Sequence, residues 1–289
     1  MPELPELRVH AERLARSHSG SVLERFTPLS FTALKTFQPD PAAAVGTALT
    51  AVRTRGKYLI AEFGDLAFIV HLMQGGRLTP ETGRARKPRG GLARWEFDGV
   101  ASWLLTEAGH ERRAGVWVVA GETEGNEPLD GLGPDADSVD EAALSAILAA
   151  AGGARLHGVL RDQRRIAGIG RRLANEICWA AELSPFAPSA RLESEQRSAL
   201  LAAIQRCIGA SIEDEATRDT IETAMRDRYA ARFDAAAGEI HIDHIVPVAA
   251  FSITSLDCDD FKRCWSLSNL RPLWAADNRA KGSKLEVII

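Results

Sequence analysis

The spacing of apolar residues changes along the chain, and each change marks a predicted element. Leu7, Ala11 and Leu14 fall on one helical face within residues 5–17, and SHSG then ends the segment. From about Val22 to Trp117 the pattern is mainly strands. KYLIAEF and LAFIVHLM flank the dipeptide Gly64-Asp65, which predicts a tight hairpin. Inside this region RARKPRGGLAR, residues 84–94, reads as a mobile basic loop. Helical spacing then returns in EAALSAILAAA, RLHGVLRDQRRIAGIG, RRLANEICWAAEL and SEQRSALLAAIQRCIGA.

Two acidic stretches punctuate this order. Residues 121–141 hold eight acids and no Lys or Arg, which predicts a solvated linker. SIEDEATRD predicts a second boundary. The expected organisation is α+β, with a β-sandwich domain over 1–125, a helical domain over 135–212 and a mixed domain over 216–289. A chain of 289 residues, 45% hydrophobic, is long enough for two or three cores.

Composition narrows the function classes. With 35 basic and 39 acidic side chains the protein is not globally basic, so any nucleic-acid contact must come from local patches. The four cysteines, Cys178, Cys207, Cys258 and Cys264, include no C-x-x-C pair. A disulfide framework or a four-cysteine zinc site is therefore not expected. Residues 1–20 lack the apolar core of a signal peptide, and no apolar run is long enough to span a bilayer. A reducing, soluble compartment is the expectation.

The chain opens MPELPE. Initiator methionine is usually removed before a small residue, which would leave Pro2 with a secondary amine. An α-amino group titrates near 8, so about a tenth is free base at neutral pH. Such an amine can attack a sugar C1′ or a carbonyl to form an iminium, whose charge acidifies the neighbouring C–H. Glu3, directly beside it, can carry the protons. The same residues also suit a plain helix start, with Pro5 in the first turn and Glu6 against the helix dipole.

Further stretches, in order, decide between these readings: RGKYLI, IVHLMQGGRL, LTEAGHERRAGVWVV and LHGVLRDQRRIAGIGRRLANEICWAAELSP. Together with MPELPE they resemble the formamidopyrimidine-DNA glycosylase and endonuclease VIII family over roughly residues 1–210. The resemblance implies a glycosylase β-sandwich followed by a helix–two-turns–helix DNA-binding element. It implies Pro2 as nucleophile, Glu3 as proton carrier, Glu6 in support and Lys57 on a phosphate near the lesion. Met73 and Gln74 would fill the gap left by a flipped nucleotide, and Arg112 would reach the opposite base or the backbone. Gly168, Gly170 and Arg171 would bind phosphate, the glycines by letting backbone amides approach it. Arg161, Arg164, Arg165 and Arg172 add positive charge around them. The implied partner is double-stranded DNA that is damaged, abasic or modified. Two departures stand out: Ala114 replaces a wedge phenylalanine, and Arg171 replaces an asparagine. The family's C-terminal zinc finger, with its C-x-x-C pairs, is not found in the chain.

In the finger's place stand DHIVP, NLRPL and DNRAKG, which resemble HNH nucleases of ββα-metal fold over about residues 215–289. That resemblance implies Asp243 and Asn278 as ligands for Mg²⁺ or another divalent cation, since both offer hard oxygen donors. It implies His244 as the base for water, Asn269 as the residue that holds the loop, and Lys281 on phosphate. Three readings remain open from the residues. The chain combines a glycosylase and lyase with an HNH endonuclease, or it is an HNH nuclease delivered by a silent reader of modified DNA, or it binds DNA without catalysis.

Overall fold

The computed structural model describes residues 1–81, 88–108, 112–230, 240–246, 250–252, 258–264, 266 and 269–274. The chain divides into two units, Met1–Glu215 and Ala216–Ile289.

Helix α1 (Leu4–His18) begins the first unit, with Glu3 at its N-cap and Pro5 in its first turn. Proline suits that position because a first-turn N–H has no partner within the helix. The described residues then supply eight strands: β1 (Leu23–Pro28), β2 (Leu49–Arg55), β3 (Tyr58–Phe63), β4 (Leu66–His71), β5 (Gly76–Pro80), β6 (Gly91–Phe97), β7 (Trp103–Glu107) and β8 (Gly115–Ala120). They form two four-stranded antiparallel sheets, ordered β1-β6-β7-β5 and β2-β3-β4-β8. The predicted hairpin is β3–β4, with Phe63 paired to Leu66 across the Gly64-Asp65 turn.

Alternation along β3 explains how the sheets pack. Leu59, Ala61 and Phe63 join the core between the sheets, with Trp95, Phe97 and Trp103 from the other sheet and Leu7, Ala11 and Leu14 from α1. Phe97 and Trp103 meet edge to face at 4.9 Å. Ile60 points the other way and joins Ile69, Val119 and Leu129 in a second cluster. The sheet is thus covered on both faces, which is why β3 and β4 read as nearly continuous apolar runs.

The acid-rich segment differs from its expectation as a solvated linker. Leu129, Ala136 and Val139 are buried. Each buried leucine stabilises by about 2 kcal/mol, enough to hold an otherwise polar segment down. The expected basic loop is also shorter than residues 84–94. Gly91–Arg94 belongs to β6, with Leu92, Ala93 and Arg94 buried. Residues 84–87 of that stretch lie outside the described residues.

The helices α2 (Glu141–Ala150), α3 (Leu156–Arg161), α4 (Arg171–Ala180) and α5 (Ser194–Ala230) follow. The Asp140 carboxylate caps α2 by accepting from Ala143 N at 2.7 Å. Leu144, Leu160, Ile169, Leu173, Ile177 and Ile204 are central to the shared helical core. The division between the two units falls within SIEDEATRD, as expected, but the helix α5 runs through it unbroken. Glu and Ala are good helix formers, and the stretch contains neither Pro nor Gly.

In the second unit β9 (Ile240–His244) pairs antiparallel with β10 (Leu270–Trp274), and α6 (Asp259–Cys264) lies between them in sequence. Residues 275–289, where the expected ββα unit would end, lie outside the described residues.

Candidate active site

The amino end is held by a core other than the one that holds the rest of its helix. Leu7, Ala11 and Leu14 belong to the sandwich core, whereas Leu4 belongs to the helical core. Leu4 N donates to Gly168 O at 3.1 Å. The first turn of α1 is therefore planted against the turn that precedes α4.

Glu3 is 5% exposed, and both of its oxygens are engaged. Oε1 accepts from Arg172 N at 3.1 Å and Oε2 from Leu173 N at 3.0 Å. These are N–H groups at the start of α4, which have no partner within their own helix and favour a carboxylate. Glu3 N donates to Glu6 Oε2 at 3.0 Å, and Glu6 Oε1 accepts from Arg172 Nη2 at 2.7 Å. Pro2 is half-buried beside this network.

The two glycines of GIG make room for that docking. A Cβ on Gly170 would stand 2.1 Å from Glu3 Oε1. Gly168 has φ +99°, and a Cβ there would stand 2.8 Å from Leu4 Cβ. The Gly168 N–H donates to Gln163 Oε1 at 3.0 Å. The sequence suggested close approach of phosphate at these glycines; the close approach seen here is that of Glu3 and Leu4.

Lys57 follows β2 at the tip of the β2–β3 hairpin and is 6% exposed. Asp135 secures the tip: its Oδ1 accepts from Arg55 Nη1 at 2.6 Å and from Gly56 N at 2.8 Å. Burial raises the Asp135 pKa, and these two partners offset part of the rise. On either side of Asp135, Pro134 O accepts from Ala167 N at 2.9 Å and Ala136 N donates to Ala167 O at 3.0 Å. Hairpin tip, acid-rich segment and glycine turn are thereby tied in a row. Lys57 is near enough to Glu3 and Arg161 to feel both charges. Burial lowers its pKa, Glu3 opposes this and Arg161 adds to it, with a net lowering.

His71 was not foreseen. It pairs with Tyr58 across β3–β4, is 8% exposed, and its pKa falls to about 4, first through burial and then through Lys57. Its Nδ1 accepts from Met73 N at 3.1 Å. One neutral imidazole thus faces Lys57 and also fixes the start of the Met73–Gln74 turn. Its only sequence signal was its place at the end of a strand just before MQGG.

That turn is closed by Gly76 N donating to Leu72 O at 2.8 Å, with Gln74 exposed at its tip and Met73 half-buried at φ 52°. Gly76 pairs with Glu107, so the turn is next to the loop that leaves β7. Arg112 lies on that loop, exposed, at φ 40°. Glu107 Oε2 accepts from Ala114 N at 2.7 Å and holds the loop's far end. Met73, Gln74 and Arg112 therefore share one end of the sandwich.

Arg171 is exposed at the first position of α4, and Arg161 and Arg164 are exposed nearby. Arg165 pairs with Asp162 at 3.2 Å. Arg172 differs from the others in the cluster, because its guanidinium also reaches Glu176 Oε2 at 2.9 Å. Burial lowers its pKa, but Glu6 and then Glu176 more than offset this, so the net shift is upward.

In the second unit the Asn269 side chain is 7% exposed and fully used. Its Oδ1 accepts from Val246 N at 2.7 Å, and its Nδ2 donates to Val246 O at 3.1 Å and Cys264 O at 2.9 Å. These bonds fix the loop that leaves β9 directly after His244. His244 is half-buried and pairs with Leu270, while Asp243 pairs with Arg271. Asn278 and Lys281 lie outside the described residues. Among the described residues no group of three or more His, Cys, Asp or Glu could hold a metal ion.

Residues 1–114 match the formamidopyrimidine-DNA glycosylase N-terminal domain, and residues 131–223 match the formamidopyrimidine-DNA glycosylase H2TH domain. The formamidopyrimidine-DNA glycosylase of Moorella thermoacetica is 33% identical over 248 residues, covering 78% of this chain and 84% of its own. That of Chloroflexus aurantiacus is 31% identical over 224 residues, covering 74% and 78%. In structure, the MutM (Fpg) protein of Thermus thermophilus superposes with a TM-score of 0.65 at 24% identity, covering 74% of this chain and 80% of its own. Lactococcus lactis Fpg, in a complex with abasic-site DNA, gives a TM-score of 0.65 at 21% identity and covers 73% and 78%. Two domain models of one family, matched in order along the chain, and relatives more than 30% identical over most of it lead to one conclusion: the chain belongs to the formamidopyrimidine-DNA glycosylase family.

Proposed function

We propose that this protein is a DNA glycosylase and AP lyase acting on damaged, abasic or modified double-stranded DNA, with an HNH endonuclease at its carboxyl end. Its name-giving relatives and the DNA in several related structures support the first half. The observation that carries it is the buried Glu3 carboxylate, immobilised on the α4 N-terminus next to Pro2 and near Lys57.

After Met1 is removed, the Pro2 nitrogen attacks C1′ and the C1′–base bond breaks, the base leaving with a proton. The deoxyribose ring opens and the nitrogen lone pair forms an iminium at C1′. A C2′ proton is then lost, and the C3′–O bond breaks to release the 3′ phosphate. Water hydrolyses the iminium and restores the amine. Glu3 is the proton carrier, since each of its oxygens keeps a lone pair beyond the amide bond it accepts. Lys57 meets a phosphate, Gln74 and Met73 fill the vacated stack, and Arg112 contacts the opposite strand. Arg171 and the amides at the GIG turn add phosphate contacts.

The carboxyl-terminal reading rests on DHIVP, NLRPL and DNRAKG and on the Asn269 network. Asp243 and Asn278 would hold a divalent cation such as Mg²⁺, which when bound supplies positive charge at the scissile phosphate. Their hard oxygen donors fit such an ion. His244 takes the proton from the attacking water, Asn269 fixes the loop behind it, and Lys281 binds phosphate. The domains are proposed as 1–125, 135–212 and 216–289, in a cytoplasmic protein of the bacterial nucleoid. No described helix is long and apolar enough to cross a membrane.

A second reading, in which the glycosylase part only delivers the nuclease, rests on the HNH-like segments DHIVP, NLRPL and DNRAKG, which follow the matched H2TH domain of residues 131–223. Borohydride trapping on an abasic duplex in EDTA separates the two. A covalent adduct that disappears in Pro2→Gly supports the lyase. Absence of adduct, with Mg²⁺-dependent cutting that His244→Ala abolishes, supports the reader.

A further inference from the structure

We infer that Arg172 is a positioning residue for the amino-terminal nucleophile, acting through Glu6. It touches both carboxylates of the amino-terminal pair, by different groups. Its backbone N–H donates to Glu3 Oε1 at 3.1 Å, and its guanidinium donates to Glu6 Oε1 at 2.7 Å. Glu6 in turn accepts the Glu3 N–H on its other oxygen at 3.0 Å. The chain Arg172–Glu6–Glu3 N–H therefore ends on the peptide group that joins Glu3 to Pro2.

The far side of the guanidinium is also fixed. Nη1 donates to Glu176 Oε1 and Oε2 at 3.1 and 2.9 Å and to Ser211 Oγ at 3.4 Å. Arg172 thus braces α1 against α4 and α5. Its side chain is 43% exposed and its partners Glu6 and Glu176 are 32% and 44% exposed. Ion pairs that wet add little to stability. Their geometric effect is larger: Glu6 is held at Oε1 by Arg172 Nη2 and at Oε2 by the Glu3 N–H, so the guanidinium fixes the carboxylate on the side away from the amide it accepts. Without Arg172, Glu6 swings into solvent, the first turn of α1 loosens, and Pro2 loses its aim.

This role rests on the Pro2 and Glu3 chemistry proposed above. The test uses the full chain with Arg172→Met, Arg172→Lys, Glu6→Ala and the double variant Glu6→Ala/Arg172→Met. Two quantities are read: the single-turnover rate of borohydride-trapped adduct on an abasic duplex in EDTA, with Kd for that duplex, and the solvent-exchange rate of the Glu3 amide by NMR. Arg172→Met slows adduct formation by about ten- to a hundredfold, the scale of a misplaced reacting group, while Kd stays within about threefold. Arg172→Lys restores part of the rate, and Arg172→Met adds nothing further in the Glu6→Ala background. An unchanged rate in Arg172→Met, or effects that multiply in the double variant, overturns the inference. A wild-type protein that forms no adduct rejects the Pro2 reading instead. In that event amide exchange decides: equal acceleration in all three Met- and Ala-bearing variants supports the coupling, and none refutes it.

Discussion

The Glu3 carboxylate occupies the space that a side chain on residue 170 would need, since a Cβ there would stand 2.1 Å from its Oε1. The charge that caps α4 comes from the other end of the unit's sequence, and glycine at 170 is the condition for its arrival.

Gly170→Ala should therefore disturb the site more than its size suggests. Glu3 is fixed by two amides and cannot simply yield, so the backbone or the carboxylate must move. A loss of about 1–3 kcal/mol in urea unfolding is expected, the usual cost of forcing an extra methyl into a packed place. Borohydride-trapped adduct should fall with it. Wild-type stability and wild-type trapping together would show that the Glu3 contact is not required.

His71 predicts an acid-side instability. Its folded pKa of about 4 lies below the ordinary value of 6.5. Between these values the unfolded chain binds a proton that the native imidazole refuses. Its contribution is thus complete above pH 6.5, declines as pH falls, and is gone below about 4. The full span is on the order of 3 kcal/mol. Urea midpoints from pH 7 to pH 4 should fall more steeply for wild type than for His71→Asn. His10, also lowered to about 4, is present in both proteins and cancels. Parallel slopes would place the His71 proton elsewhere.

Gln74 is exposed at the tip of its turn, so its removal should leave folding alone. Gln74→Ala is expected to change stability by less than about 0.5 kcal/mol. If it fills the gap beside a flipped nucleotide, affinity for an abasic duplex should fall about tenfold relative to intact duplex. Equal weakening on both duplexes would make Gln74 a general contact.

Asn269→Ala tests the second unit. It strips three side-chain hydrogen bonds, leaving Val246 N, Val246 O and Cys264 O to find other partners. A loss of about 2–3 kcal/mol is expected for such a buried network. Mg²⁺-dependent cutting should drop while adduct formation in EDTA persists. Loss of both activities would mean that the two units do not act independently.

Much of this protein was legible in its residues. Periodicity placed α1, the β3–β4 hairpin and the pair α3–α4, because apolar spacing reports directly which face of an element is buried. MPELPE and GIG marked both halves of the site through residue types that chemistry restricts. What the spacing could not show is which partner each residue meets. The acid-rich stretch read as solvated, yet Leu129 covers a sheet and Asp135 holds the hairpin tip beside Lys57. GIG read as room for phosphate, and the fold adds that its glycines make room for Leu4 and Glu3. Arg172 read as one charge among five, and its place between Glu6 and Glu176 sets it apart. Local composition determines an element's faces; long-range packing between residues 3 and 172 determines what those faces touch, and no period along the chain encodes that distance.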